Sequence, residues 1–200
     1  MWPVMQAFAT RSSRVLHRVL VVGALAGALI STTGCGDDAV APQQAVLWFG
    51  LGPAQGMSCS SAKNYQYPDG ARATVSGSEG VGDRVKDGGD NLVQCDVGLA
   101  SGSSNNYNVS LKFQNEEIGN FAASGVITDG APVGMQGTLD VDFTTGQFSL
   151  AQNQCSVSVK RVFPGAIWLQ SVHCDNLKDQ SSPSIACDGT GALIFENCSH

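Results

Sequence analysis

The sequence predicts an all-β domain, an antiparallel β-sandwich or barrel-like fold held by disulfides, after an N-terminal signal helix. Three observations carry that expectation. From Tyr107 to Gln114 the alternation is complete, with Tyr107, Val109, Leu111 and Phe113 on one side and Asn108, Ser110, Lys112 and Gln114 on the other. That two-residue period gives a strand one buried and one wet face. Glycine fills 24 of the 200 positions, and no stretch after Cys35 sets apolar residues at the i, i+3, i+4, i+7 spacing of an amphipathic helix. Six cysteines follow Cys35, namely Cys59, Cys95, Cys155, Cys174, Cys187 and Cys198, enough for three bridges that supplement a thin core.

The first element is an export segment. Arg11, Arg14 and Arg18 precede an uncharged run from Val19 to Ile30, which Ser31, Thr32, Thr33 and Gly34 break. This is the layout of a secretory signal peptide. A helix over the run's 12 residues would rise about 18 Å, short of a hydrocarbon core of roughly 30 Å. Thr33, Gly34 and Cys35 resemble the lipobox of bacterial lipoproteins, in which a small residue precedes a cysteine that is lipidated on sulfur and becomes the mature N-terminus. Thr32 departs from the aliphatic residue usual at its position. The resemblance implies a lipid-anchored cell-envelope protein acylated at Cys35, with residues 1–34 removed. Gly36 in place of aspartate implies outer-membrane sorting where the cell has two membranes. Cysteine parity agrees: of seven cysteines, lipidation of Cys35 leaves an even six. The alternative is cleavage after Ala28, which would leave a secreted protein.

Residues 35–44 are then the lipidated cysteine and a short, polar tether containing Pro42, and residues 45–200 form a single β domain. Ala45 to Leu51 is an apolar run expected to be the first strand, with Trp48 or Phe49 in the core. Gly52 to Gly70 reads as a loop holding Cys59, Tyr65 and Tyr67, the tyrosines serving either as packing or as a carbohydrate platform. A strand from near Asn91 carries Cys95, and Tyr107–Gln114, Phe121–Thr128 and Met135–Phe143 follow. In the last of these, Leu139, Val141 and Phe143 alternate with Thr138, Asp140 and Asp142. Thr144-Thr145-Gly146 turns the chain into Gln147–Ala151. Ser181 to Ser184 is a polar loop, and Gly191–Cys198 is the closing strand.

The sharpest geometric expectation concerns Cys155 and Cys174. A turn centred on Pro164-Gly165 places these residues directly across a hairpin, within the roughly 4.4–6.8 Å Cα separation that a disulfide requires. It also sets Val157, Val159, Arg161, Phe163, Ala166, Trp168, Gln170 and Val172 on the cysteine face, with Arg161 against Trp168 as a cation–π pair. Ser156 opposite His173 and Ser158 opposite Ser171 form the wet face. A four-residue loop is expected, because a type II Pro-Gly turn matches strand twist poorly. Local pairing of Cys187 with Cys198 is one of several options for the rest. The pattern of Cys155, Trp168, Cys174, Cys187 and Phe195-Glu196-Asn197-Cys198 is similar to cysteine-containing lipoproteins of myxobacterial type, a likeness that implies no particular activity.

All 17 acidic residues but only 8 of the 11 basic ones follow Cys35, so the exported part carries a net charge of −9. That charge repels phosphate backbones and argues against nucleic-acid binding. No G-x-S-x-G occurs, and His173 and His200 are the imidazoles of the exported part. Asp140 and Asp142 share a strand face about 7 Å apart, a spacing open to calcium binding or glycoside hydrolysis, and equally to plain solvent-face alternation. The run Asp83, Asp87, Asp90 and Asp96 lacks EF-hand spacing. No catalytic residue, metal site or cofactor is assigned. The expectation is a binding or structural module with an envelope protein or glycan as partner; the alternative is a small secreted hydrolase using paired carboxylates.

Overall fold

The computed structural model describes residues 41–71, 83–130, 134–146, 148–182 and 184–200. The export segment, the Ala28 cleavage alternative and Cys35 lie outside the described residues. In chain order the strands are β1 (Gln44–Pro53), β2 (Asn64–Tyr67), β3 (Val85–Lys86), β4 (Leu92–Leu99), β5 (Asn106–Asn115), β6 (Gly119–Gly130), β7 (Gly134–Thr145), β8 (Phe148–Phe163), β9 (Ala166–Asp179) and β10 (Ala186–Glu196). All join one antiparallel sheet in the order β2-β1-β10-β9-β8-β7-β6-β5-β4, with β3 also on β1. The predicted all-β class holds, in its barrel-like form.

Rolling the sheet brings β4 beside the start of β1 and the chain's C-terminus, and this seam is closed without a full strand ladder. The Gln43 side chain acts as a peptide group, accepting from the Cys95 N–H at 2.7 Å and donating to the Cys95 carbonyl at 3.1 Å. Ser199 bridges Asp96 in parallel: its carbonyl accepts from Val97 N–H at 2.8 Å and its N–H donates to Cys95 O at 2.9 Å. Gly165 N–H donates to Val97 O at 3.0 Å. Otherwise bare edge groups are thereby satisfied, which removes a template for pairing with another chain.

The interior is filled. Phe49, Phe113, Phe121, Phe143 and Phe195 are fully buried, and each contributes about 1.5–3 kcal/mol by leaving water. Phe49 lies 5.5 Å from Phe121 and 5.6 Å from Phe143, and Tyr65 meets Phe143 edge-on at 4.8 Å. Space for the Phe49 ring comes from β10, where a Cβ on Gly191 or Gly189 would collide with it. Of the two first-strand candidates, Phe49 is therefore the core residue. Trp48 packs on the outer wall with Val46, Ala71, Ala192, Ile194 and Trp168.

Three disulfides join Cys59–Cys187, Cys95–Cys198 and Cys155–Cys174. Local Cys187–Cys198 pairing is overturned, because β10 runs between them for most of its length and separates them by roughly 35 Å. Cys155 and Cys174 are bridged with Cα atoms 4.5 Å apart.

Two details of the hairpin differ from expectation. Phe163 pairs directly with Ala166, so the loop has two residues, and Gly165 at φ 87° supplies the positive φ of a type II turn. Its backbone bonds to Val97 and Cys198 hold it against the twist mismatch. Register also shifts on either side of Val159, skipping Gln170 on β9 and Lys160 on β8. The two bulges restore the register, so Arg161 still faces Trp168, but they exchange the faces. Val162, Ile167 and Leu169 turn inward, while Arg161, Phe163 and Trp168 stand outside. A third departure is β2, which pairs with β1 inside the stretch expected to be loop.

Candidate functional site

Outward residues of β4–β7 fall into register rows. Asp96, Ser110, Ser124 and Asp140 make one row, and Gln94, Lys112, Ala122 and Asp142 the next. Because Ser110, Ala122 and Ser124 are short, the wall is hollow between the longer side chains, forming a groove of about 640 Å³ that Asp87, Gln43 and Ser199 extend toward the seam. Strand spacing puts Lys112 about 10 Å from Asp142 and Asp96 about 14 Å from Asp140 at the backbone. The trough thus offers one ammonium among four carboxylates, with hydroxyls on its floor.

Two of these carboxylates also hold backbone. Asp140 Oδ1 accepts from Gln154 N–H at 2.9 Å, where Gln154 sits at φ 62° in a bulge opposite Asp140. The same device recurs at Asp188, which accepts from Asn176 N–H at 2.9 Å with Asn176 at φ 66°. Asp87 Oδ1 accepts from Val93 N–H at 2.8 Å, closing the turn before β4. Among the described residues no three His, Cys, Asp or Glu side chains converge as a metal site. Asp83 and Asp90 are exposed, and Asp96 joins the groove rather than a loop with them.

The other sequence candidates are placed apart. His173 pairs with Asp175 at 2.8 Å on the open outer wall. Ser156 directs its hydroxyl to the His173 carbonyl at 3.5 Å rather than to the imidazole. Tyr65 is buried and donates to Ser61 O at 3.2 Å, while Tyr67 lies 5.8 Å from Phe113; both are packing residues, not a platform.

No family of known proteins, no curated protein and no solved structure matches this chain. Its three disulfides point to an extracytoplasmic protein, since such bonds persist in oxidising compartments. Among the described residues no helix is long and apolar enough to cross a membrane. The barrel's apolar interior and its polar wall of Ser156, Ser158, Asp140 and His173 are the reverse of a membrane-spanning barrel.

One polar centre was not legible from residue type. Glu196 accepts from Gln44 Nε2 at 2.8 Å, Arg84 Nε at 3.0 Å and Trp168 Nε1 at 3.0 Å, linking the ends of β1, β9 and β10 with the residue before β3. Burial pushes its pKa up, but the Arg84 and Gln44 hydrogen bonds, the Arg84 charge and the Trp168 bond reverse this, leaving it below the ordinary glutamate value. The hint in the sequence is only that a lone glutamate interrupts the apolar end of β10.

Proposed function

We propose that this chain is an exported, lipid-anchored envelope protein, fixed to the membrane through Cys35, whose β4–β7 groove binds a polar partner, a glycan or a protein segment. The observation that carries the reading is a filled, disulfide-stapled barrel with a hollow, small-residue trough on its wall. The export segment and cysteine parity support the anchoring, and Gly36 supports the outer membrane. The floor hydroxyls and the mixed charges supply hydrogen-bond partners for a hydroxyl-rich or amine-bearing ligand.

Glycan and peptide arrays probed with wild type and Ser124→Trp test the groove. Ser124 is exposed, so the variant is expected to fold and to lose any specific binding; undiminished binding would remove the groove from the account. A second reading, glycoside hydrolysis, is favoured by Asp140 and Asp142 sharing the trough. Both are exposed, whereas a poised general acid is characteristically desolvated. Turnover of a bound glycan that stops in Asp142→Asn would decide for hydrolysis.

A further inference from the structure

The antiparallel register puts the start of β1, the end of β10, the β8–β9 turn, the end of β4 and the start of β5 at one rim of the barrel. The chain enters at this same rim. Its position is fixed as far out as Pro42, whose carbonyl accepts from Asn197 Nδ2 at 3.0 Å, and Gln43 O accepts from Asp87 N–H at 2.8 Å. Large exposed hydrophobic residues gather here as well. Leu99, 47% exposed, ends β4, and Phe163, 38% exposed, precedes the β8–β9 turn. Val126, also 47% exposed, faces Asn108 two positions inside β5. Basic side chains accompany Phe163, with the Arg161 guanidinium 4.7 Å from its ring and Lys160 beside it in sequence.

We infer that this rim is a bilayer-contact surface, with Phe163 and Leu99 dipping into the interfacial layer and Arg161 reaching headgroup phosphates. The inference rests on Cys35 being acylated. Six peptide links from Cys35 to Ala41 reach at most about 20 Å, while β1, roughly 33 Å long and tilted about 40° as barrel closure requires, makes the wall about 25 Å tall. The tether is thus too short for the opposite rim to take the membrane side unless the barrel lies flat. Aromatic and aliphatic tips flanked by cations are the chemistry of an interfacial contact. The net charge of −9 works against free adhesion, so the contact belongs to the anchored protein and leaves the β4–β7 groove on the barrel's side, open to partners.

The test uses protein extracted from membranes, checked by intact mass for acyl chains on Cys35, and reconstituted in phosphatidylcholine vesicles with or without brominated acyl chains. Phe163→Trp and Leu99→Trp are compared with Gln55→Trp at the opposite rim, each read against the native tryptophans. The expected result is that brominated lipid quenches most of the emission added by F163W and L99W and none of that added by Q55W. Equal quenching at both rims, or none at either with acylated Cys35, overturns the orientation alone. Unmodified Cys35 in the membrane fraction overturns the anchoring and the orientation together.

Discussion

At the residue scale, stability concentrates where a carboxylate replaces missing backbone partners or gathers several donors. Glu196 is the clearest case. Glu196→Gln keeps the size but removes the charge that draws Arg84, Gln44 and Trp168 together, and hydrogen bonds to a charged group are worth about 1.5–3 kcal/mol each, more than neutral ones. A loss of about 2 kcal/mol in urea unfolding is expected. The pH dependence follows from the lowered pKa. The stabilisation is complete above the unfolded glutamate value and is lost as pH falls through the lower folded value. Asp179 behaves alike, held below the aspartate value by the Ser181 hydroxyl and N–H. Acid unfolding of Glu196→Gln should accordingly be less steep below the unfolded glutamate pKa than that of wild type. Asp140 gives a second test, because its role at Gln154 needs an acceptor and not a charge. Asp140→Asn should retain most of the stability, whereas Asp140→Ala should cost about 1 kcal/mol; equal losses would mean that the bulge does not depend on this bond.

At the element scale, β1 and β10 fit because one supplies an aromatic ring and the other lacks side chains beneath it. A methyl at Gly191 would overlap Phe49 and approach the Trp48 carbonyl at 2.8 Å. Overpacking of this kind costs about 1–3 kcal/mol, and Gly191→Ala should fall at the upper end because one of its neighbours is backbone that cannot swing aside. Thermal unfolding compared with Gly52→Ala, where no atom lies within 4 Å of the added methyl, separates crowding from a general glycine effect. Much at this scale was legible in advance. Alternation on β5 and β7 was sufficient to recognise two strands and their buried faces, and the mirror symmetry around Pro164-Gly165 to pair Cys155 with Cys174. The bulges were not, for a physical reason. Gln154, Lys160 and Gln170 are ordinary strand residues, and what bends the ladder at Gln154 is an aspartate fourteen positions away. No local residue type announced that Arg161 and Trp168 would turn outward.

At the scale of the whole molecule, closure depends on contacts distant in sequence, which explains why the groove was only partly legible. Asp140 and Asp142 were visible as a pair, but Asp96 and Lys112 join them through β4, β5 and β6, whose register no single strand encodes. The seam poses the same problem, since Gln43 and Ser199 meet at Cys95 from opposite ends of the chain. Few hydrogen bonds cross it, so the Cys95–Cys198 bridge carries a disproportionate share. Its partners are 103 residues apart, against 19 for Cys155–Cys174, and the unfolded chain gains more freedom when the longer loop is opened. Cys155–Cys174 also crosses a hairpin that its own ladder keeps in register. Replacing Cys95 and Cys198 by serine should therefore cost about 2–5 kcal/mol and more than the same replacement at Cys155 and Cys174. Amide exchange gives the location of the effect: Val97 and Ser199 N–H groups should lose protection in the first variant and keep it in the second. Equal destabilisation with both amides still protected would mean that the seam is held by Gln43 and the tail alone, and that the covalent bond is incidental to closure.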